Sequence, residues 1–326
     1  MAGKTPSRAA MNAQTTLFLS RDDAELRQKI GEVAPQIEIV SRAQLKDHPE
    51  RIEHIEIAYG GLGRDQIANA TALKWFQNGG AGVNGLLSPE LAARDVTITS
   101  VSGIHARCIA EHLFGMLLSL TRELHSAREA QNRREWKPLG ANTLSLYGKT
   151  LGVLGVGAIG AQIARVGRAF EMKPIGLRRG RAGHPEIETM FSPENRLEFF
   201  AQAQIVMNTL PLTDATRGFM GEAEFEALPD GAIVLNAGRG ATIDTTALLR
   251  GLQSGKLRAA LLDVTDPEPL PAAHPLWEMP NVFITAHYAG AHPEYNAEAD
   301  AIFLDNLRLY LAGEPLHHVV DKTAGY

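Results

Sequence analysis

The segment TLGVLGVGAIG, residues 150–160, restricts the fold more than any other stretch of this chain. An apolar, strand-like run is followed at once by Gly155, Gly157 and Gly160 in the spacing G-x-G-x-x-G, and the residues from Ala158 onward read as a helix. Each glycine answers a separate steric need. Gly155 permits a tight turn, Gly157 lets the backbone approach a pyrophosphate, and Gly160 lets the helix pack closely on the strand. The helix start also offers unpaired N–H groups and the positive end of its dipole to an anion. The motif alone is a weak signal, and a structural glycine turn is the competing reading. Its position between strand and helix is what points to a dinucleotide site in a βαβ unit.

The rest of the chain repeats that alternation. Apolar runs at 15–20, 36–40, 54–59 and 73–76 are interleaved with amphipathic stretches beginning at Asp22 and near Arg64, which predicts a parallel sheet covered on both faces. Ile109, Leu113, Met116, Leu117 and Leu120 fall at helical spacing and predict a long helix over 104–123. A second βα series starts at Thr150, with strands at 151–155, near Ile175, and at 204–208, 232–236, 259–263 and 282–285, and helices from Ala158, near Arg196 and over 245–253. Pro174 is unusual for an inner strand but is tolerated at its first residue. The helical piece 294–312 is too short to stand alone and must pack on the first block, which makes the second block an insertion. The expected class is therefore α/β with two doubly wound parallel-sheet domains, a Rossmann-type domain inserted into a flavodoxin-like one. The expected boundaries are a disordered tail at 1–14, one domain from 15–102 and 292–326, and the other from 103–291.

Composition narrows the partners. With 326 residues, 44% hydrophobic and 21% charged, the chain can bury large cores, and roughly 150 residues per domain favours two. A net charge of −5 without like-charge blocks argues against nucleic acid or an anionic membrane as partner, and for a small molecule. No apolar run reaches the ~18 residues of a membrane span; the strongest, at 113–120, contains Gly115 and Ser119. Residues 1–14 carry Lys4 and Arg8 and no acidic residue, faintly like a transit peptide, but lack an apolar core and read as a tail. A single cysteine, Cys108, supports neither an internal disulfide nor a structural zinc site, which fits a reducing, cytoplasmic setting.

A site that binds NAD places a carboxylate about 20 residues beyond the glycines, at the end of the second strand, to meet the ribose 2′-hydroxyl. Here Arg178 and Arg179 stand at that place, Arg178 lying 18 residues after Gly160. Two guanidiniums attract a 2′-phosphate and fork onto its oxygens, so NADP(H) is the preferred cofactor, with NAD(H) left open. The alternative is a solvated basic turn that continues to Arg181.

Three further strands end in polar signatures: 236–240 with Asn236, Ala237 and Arg239, 263–269 with Asp263 and Glu268, and 285–290 with His287. Strand C-termini of an open α/β sheet line the ligand crevice, so Arg239, Glu268 and His287 can converge there. Reduction of a 2-oxo acid needs a hydride, a proton for the developing alkoxide and a cation for the carboxylate. Arg239 supplies the cation, His287 as imidazolium the proton, and Glu268 orients and stabilises that ring. Each residue taken singly is equally well a surface or core polar group.

With these motifs in view, the chain resembles the D-isomer-specific 2-hydroxyacid dehydrogenase family over nearly everything after the tail. Gly103-Ile104-His105-Ala106, continuing through Ala110-Glu111-His112, is similar to the family's interdomain helix. The segment 208–213 with Thr216 resembles its P-L-T-x-x-T loop beside the adenine, and 80–84, Gly-Ala-Gly-Val-Asn, its substrate-domain loop. The resemblance implies that the amides of Ala81 and Gly82 bind the substrate carboxylate, that Arg239 clamps it, and that His287 and Glu268 form the acid/base pair. It further implies that the amides of Ala158 and Ile159 meet the pyrophosphate, that Leu210, Pro211, Thr216 and Ala237 border the cofactor, and that Asp263 touches the nicotinamide side. A homodimer built on the cofactor domains and catalysis between the domains are implied as well.

Two departures stand out: Ala286 replaces the proline that usually precedes the catalytic histidine, and the Arg178-Arg179 pair replaces the carboxylate. Glu268 disfavours formate oxidation, because the formate dehydrogenase branch carries glutamine there. The short stretch after the 294–312 helix leaves no room for the regulatory domain of some phosphoglycerate dehydrogenases. The leading expectation is an NADPH-dependent reductase of glyoxylate or hydroxypyruvate. Its alternatives are an NAD-linked D-3-phosphoglycerate or D-lactate-type dehydrogenase and, from another class, a non-catalytic dinucleotide-sensing protein. Tyr59, Leu86, Trp277 and Tyr288 are candidate pocket walls, with ordinary packing as their other reading.

Overall fold

The computed structural model describes residues 15–83, 86–180, 183–323 and 325. The tail 1–14, Asn84 and Arg181 lie outside the described residues. The chain divides into two compact units, Met1–Ile104 with Pro293–Tyr326, and His105–His292.

The first unit is built on a five-stranded, all-parallel sheet. Its elements are β1 (Thr16–Leu19), α1 (Ala24–Val33), β2 (Glu38–Ser41), α2 (Arg42–Asp47), β3 (Ile57–Tyr59), α3 (Arg64–Asn69), β4 (Trp75–Gln77), α4 (Pro89–Ala93) and β5 (Thr97–Thr99). The strand order β2-β1-β3-β4-β5 is the flavodoxin-like winding. Local sequence starts the helices: Asp23 caps α1 by accepting the Leu26 amide, and Ser41 with Gln44 forms a reciprocal capping box on α2. Leu26 and Ile30, one helical turn apart, bury the inner stripe of α1. The C-terminal helix Tyr295–Ala312 returns to this unit. Its Phe303 stacks on Tyr59 at 4.3 Å and on Trp75 at 5.5 Å.

The second unit carries α5 (Ala106–Thr121), α6 (Leu124–Asn132), β6 (Thr150–Leu154), α7 (Ala158–Ala169), β7 (Lys173–Leu177), β8 (Thr189–Phe191), α8 (Arg196–Gln202), β9 (Ile205–Asn208), α9 (Glu222–Ala227), β10 (Ala232–Asn236), α10 (Thr245–Gln253), β11 (Leu257–Leu262) and β12 (Val282–Ile284). All seven strands are parallel, in the order β12-β11-β10-β9-β6-β7-β8. The chain starts at β6, winds to β8, and then crosses back to β9, so the order reverses between β6 and β9. The inner strands read as unbroken apolar runs because both faces are covered. Ile205, Met207, Ile233, Leu235 and Leu261 face Leu113, Leu117 and Ile163 of α5 and α7, while Val206, Val234 and Leu262 face Phe199, Phe200, Phe225 and Leu248.

Several expected boundaries shift. The helix expected over 104–123 is α5 alone: Glu123 adopts a left-handed φ of 55°, the helix breaks, and α6 begins at Leu124. Pro174 is the second residue of β7, and its missing N–H costs no ladder bond because pairing with β8 begins only at Ile175. The strand expected from residue 54 begins at Ile57, after a 3-10 turn over Pro49–His54. Among the described residues no helix is long and apolar enough to cross a membrane.

Candidate active site

The C-terminal ends of adjacent parallel strands present their following loops along one edge of the sheet, and the second-unit residues assigned by sequence to catalysis or the cofactor, except Glu268 and Thr216, lie within three residues of a strand end or at the α7 start. Gly155 follows β6 with a φ of 93°. Gly160, in the first turn of α7, is locked by contact: a Cβ there would lie 2.3 Å from the Gly155 carbonyl oxygen. Gly157 differs, since a Cβ built on it meets no atom within 4 Å. That is the behaviour of a backbone kept open for a ligand. The first helical bond of α7 runs from the Ala161 amide to the Gly157 carbonyl, which leaves the Ala158, Ile159 and Gly160 amides ahead of the ladder at the positive end of the dipole.

The β9 end closes over this turn. Thr209 donates to the Gly155 carbonyl at 2.8 Å, and Asn208 accepts the Leu210 amide at 3.0 Å. The Thr216 hydroxyl donates to the Pro211 carbonyl at 2.6 Å and accepts the Thr213 amide at 2.7 Å, folding 211–216 into a compact loop. At the β7 end, Arg178 turns toward the glycine loop: Nη1 reaches the Val156 carbonyl at 3.5 Å and Nε the Gly180 carbonyl at 3.2 Å. Arg179 is exposed. Open backbone at Gly157, unladdered amides and an arginine at the second strand end together fit a dinucleotide with its pyrophosphate on α7.

At the β10 end the buried side chains of Asn208 and Asn236 act as backbone clamps. Asn208 donates to Asn236 Oδ1 and to the Thr242 hydroxyl, Asn236 Oδ1 accepts the Gly238 amide, and both Asn236 and Thr242 donate to the Arg239 carbonyl. Ala237 is buried and bonded to the Asn208 carbonyl through its amide. Arg239 is thus fixed by its backbone, while its Nη1 donates only to the Gly238 carbonyl, and among the described residues it has no carboxylate partner. A Cβ at Gly240 would lie 1.9 Å from the Thr265 carbonyl oxygen, so this loop packs directly on the one leading to Glu268.

The β11 and β12 ends carry the remaining groups. His287 Nδ1 lies 2.5 Å from Glu268 Oε1, and both side chains stay largely open to solvent, at 47% and 41%. Asp263 is only 3% exposed and gathers the loop around it: the Thr285 hydroxyl and the Tyr288 and Ala289 amides donate to its carboxylate, and the His287 amide to its carbonyl. A carboxylate accepts about four bonds, and three are taken, which leaves one site on Oδ2 for a ligand amide.

In the first unit, Asn78 folds the loop after β4 by donating to the Gly80 and Gly82 carbonyls at 2.8 and 2.9 Å. Among the described residues no acceptor takes the Ala81 or Gly82 amide, so both are open to an anion. Tyr59 is not a pocket wall. Its hydroxyl donates to Asp300 at 2.9 Å inside the core, and burial together with that carboxylate pushes its titration well above the ordinary tyrosine range. Leu86 packs against the first-unit core, Trp277 donates to the Pro271 carbonyl, and Tyr288 is exposed beside His287. The roles that sequence reading missed are those of the buried clamps Asn208 and Thr242, of the half-buried Thr285 and of His112 on α5, whose contacts come from elements that meet only in the folded unit.

A family model described as D-isomer specific 2-hydroxyacid dehydrogenase, NAD binding domain, matches residues 114–289. A glyoxylate reductase of Aeropyrum pernix is 33% identical over 234 residues, 70% of this chain and 70% of that one. Among solved structures, a D-isomer specific 2-hydroxyacid dehydrogenase family protein from Aeromonas salmonicida superposes with a TM-score of 0.83 at 35% identity, over 95% of this chain and 100% of that one. An NADPH-dependent glyoxylate/hydroxypyruvate reductase from Sinorhizobium meliloti, in complex with NADP and sulfate, superposes with a TM-score of 0.81 at 26% identity, over 96% and 100%.

Proposed function

Because this chain belongs to the D-isomer specific 2-hydroxyacid dehydrogenase family, and is thereby an NAD(P)-dependent oxidoreductase of small 2-hydroxy and 2-oxo acids, we propose that it reduces glyoxylate or hydroxypyruvate with NADPH. The product is the D-2-hydroxy acid where the carbon is chiral. The observation that carries this reading is the His287–Glu268 pair at 2.5 Å, on a sheet edge that also holds an arginine without an acidic partner among the described residues.

The bound nicotinamide supplies the hydride. Arg239 pairs with the substrate carboxylate and polarises the 2-oxo group; the first unit, taken by itself, offers the amides of Ala81 and Gly82 as anion donors. His287, its Nδ1 turned to Glu268, presents Nε2–H to the developing alkoxide, and Glu268 stabilises the imidazolium and holds the ring. The amides of Ala158 and Ile159 take the pyrophosphate, with Leu210, Pro211, Thr216 and Ala237 around the cofactor and the open site of Asp263 toward the nicotinamide amide. Arg178 and Arg179 take the 2′-phosphate. Preference for NADPH is supported by their place at the β7 end, where an NAD-binding fold carries a carboxylate.

We further place the protein in the cytoplasm as a homodimer. The reading is supported by the single cysteine and by Trp136, Tyr147 and Leu124, which expose 100%, 69% and 54% of their surface in the second unit.

The test is oxidation of NADPH, and separately NADH, followed by absorbance with glyoxylate, hydroxypyruvate, pyruvate and phenylpyruvate. Turnover of the first two with NADPH is expected. Faster turnover with NADH would replace the cofactor assignment by the NAD-linked one. NADPH binding with no turnover of any acid would favour a dinucleotide-sensing protein.

A further inference from the structure

His287 has a φ of 54°, a left-handed conformation that a residue with a side chain adopts only when its surroundings impose it. The imposing group is Asp263. Its carbonyl accepts the His287 amide at 2.8 Å, and its carboxylate accepts the Tyr288 and Ala289 amides, each at 3.1 Å, so three successive amides are tied to one buried residue. The same carboxylate accepts the Thr285 hydroxyl at 2.6 Å.

Proton counting extends this chain one residue further. An ionised carboxylate only accepts, and a threonine hydroxyl has one proton to give, so the Thr285 proton is committed to Asp263. His112 Nε2 lies 2.9 Å from the Thr285 oxygen, and that contact must therefore run from an Nε2–H of His112 to a lone pair of Thr285. The same nitrogen lies 3.7 Å from Asp263 Oδ1, and the His112 ring meets the Tyr288 ring edge-on at 5.2 Å. His112 sits within α5 with its side chain 17% exposed, and hydrogen-bonds neither Glu268 nor the His287 ring.

We propose that His112 is a positioning residue for the acid/base histidine: its Nε2–H orients the Thr285 hydroxyl onto Asp263, which holds the 287–289 backbone and so keeps the His287 imidazole against Glu268. The proposal rests on the reading of His287 as proton donor. Loss of the His112 donor frees the Thr285 hydroxyl to rotate and loosens the loop, and a small displacement of an acid/base group lowers the chemical rate more than it lowers binding.

The experiment compares His112→Leu, His112→Gln and Thr285→Val, each alone and combined with His287→Ala, in the full chain. The readouts are kcat and KM with glyoxylate and NADPH, the NADPH dissociation constant, and the thermal midpoint. His112→Leu and Thr285→Val are expected to lower kcat roughly ten- to hundredfold. KM and NADPH affinity should stay within about twofold, the pattern of a lost rate-specific interaction. His112→Gln keeps an N–H donor and is expected to recover most of kcat. On the His287→Ala background, His112→Leu should cost nothing more, since it acts through the missing ring. The positioning role is overturned if His112→Leu keeps wild-type kcat, if His112→Gln is as slow as His112→Leu, or if the loss persists undiminished without His287. Should His112→Leu not fold, Thr285→Val decides by the same criteria. Wild-type kcat in His287→Ala would instead overturn the proton-donor reading, and the positioning role with it.

Discussion

Both sheets of this protein carry polar residues at or just beyond the ends of several parallel strands, yet the two edges are wired differently. In the first unit the polar groups close on one another. Trp75 donates to the Thr99 hydroxyl, Thr99 to Gln77, and Asn306 to Gln77 and the His317 carbonyl, with Gln77, Thr99 and Asn306 all fully buried. Tyr59 closes in the same way on Asp300, which also pairs with Arg21. In the second unit the buried groups, Asn208, Asn236 and Asp263, bond side chains too but each also holds loop backbone, and the side chains those loops carry keep capacity unspent. Among the described residues the Arg239 guanidinium meets only a carbonyl, and His287 uses one ring nitrogen. Burial with every bond satisfied makes architecture, whereas a rigid backbone carrying unsatisfied side chains makes chemistry.

The sharpest way to break this contrast is Arg239→Ala. Removing the cation that faces developing charge should lower kcat/KM for the 2-oxo acid about 10²- to 10³-fold with the fold intact. Steady-state kinetics that changed only a few-fold would show that this edge is as closed as the other. Asn306→Leu probes the opposite side. It strips both backbone groups of His317 of their side-chain partner, leaves Gln77 Oε1 with Thr99 alone, and should cost about 1–3 kcal/mol in denaturant unfolding while leaving kcat alone.

Two glycines sharpen the comparison within the second unit. Gly157→Ala meets no protein atom, so thermal stability should hold while NADPH affinity, measured by titration, falls roughly tenfold, equivalent to about 1.4 kcal/mol. Gly160→Ala strikes the Gly155 carbonyl and should lower both, with about 1–3 kcal/mol lost in stability. The smallest effect is on cofactor choice. Replacing Arg178 and Arg179 together by serine should raise the NADPH KM several-fold, on the order of one to two charge-assisted bonds, and leave the NADH KM nearly unchanged. Equal changes for both cofactors would reduce the pair to a brace on the glycine loop.

The winding of both sheets was legible because buried inner strands leave long apolar runs, as in β9, β10 and β11. Short edge pieces were not. β8 has three residues on the outside of its sheet, β5 has three with a threonine at each end, and neither supplies a run that periodicity can register. The glycine turn and the strand-end residues Arg239, Asp263 and His287 could be named in advance because the rule that places ligands at strand ends needs only the strands. The Glu268 contact fits that rule, although nothing local to either residue encodes the distance. The left-handed φ of His287 and the donor role of His112 were invisible, since each depends on Asp263, a residue from a different strand. Tyr59 misled for a related reason: its partner, Asp300, lies 241 positions away on the returning helix.

That returning helix sets an order on synthesis. The core of the first unit contains Phe303, Leu304 and Leu307 beside Leu17 and Trp75, and its buried polar network needs Asn306. None of these late residues exists when the first hundred leave the ribosome, and the whole of His105–His292 must be made before they do. At typical elongation rates those roughly 190 residues take about ten to forty seconds. Through that interval the N-terminal sheet lacks the helix that completes one of its faces, whereas the inserted unit has all of its own strands once Ile284 is made, so the part of the protein that is translated first is the last to be completed.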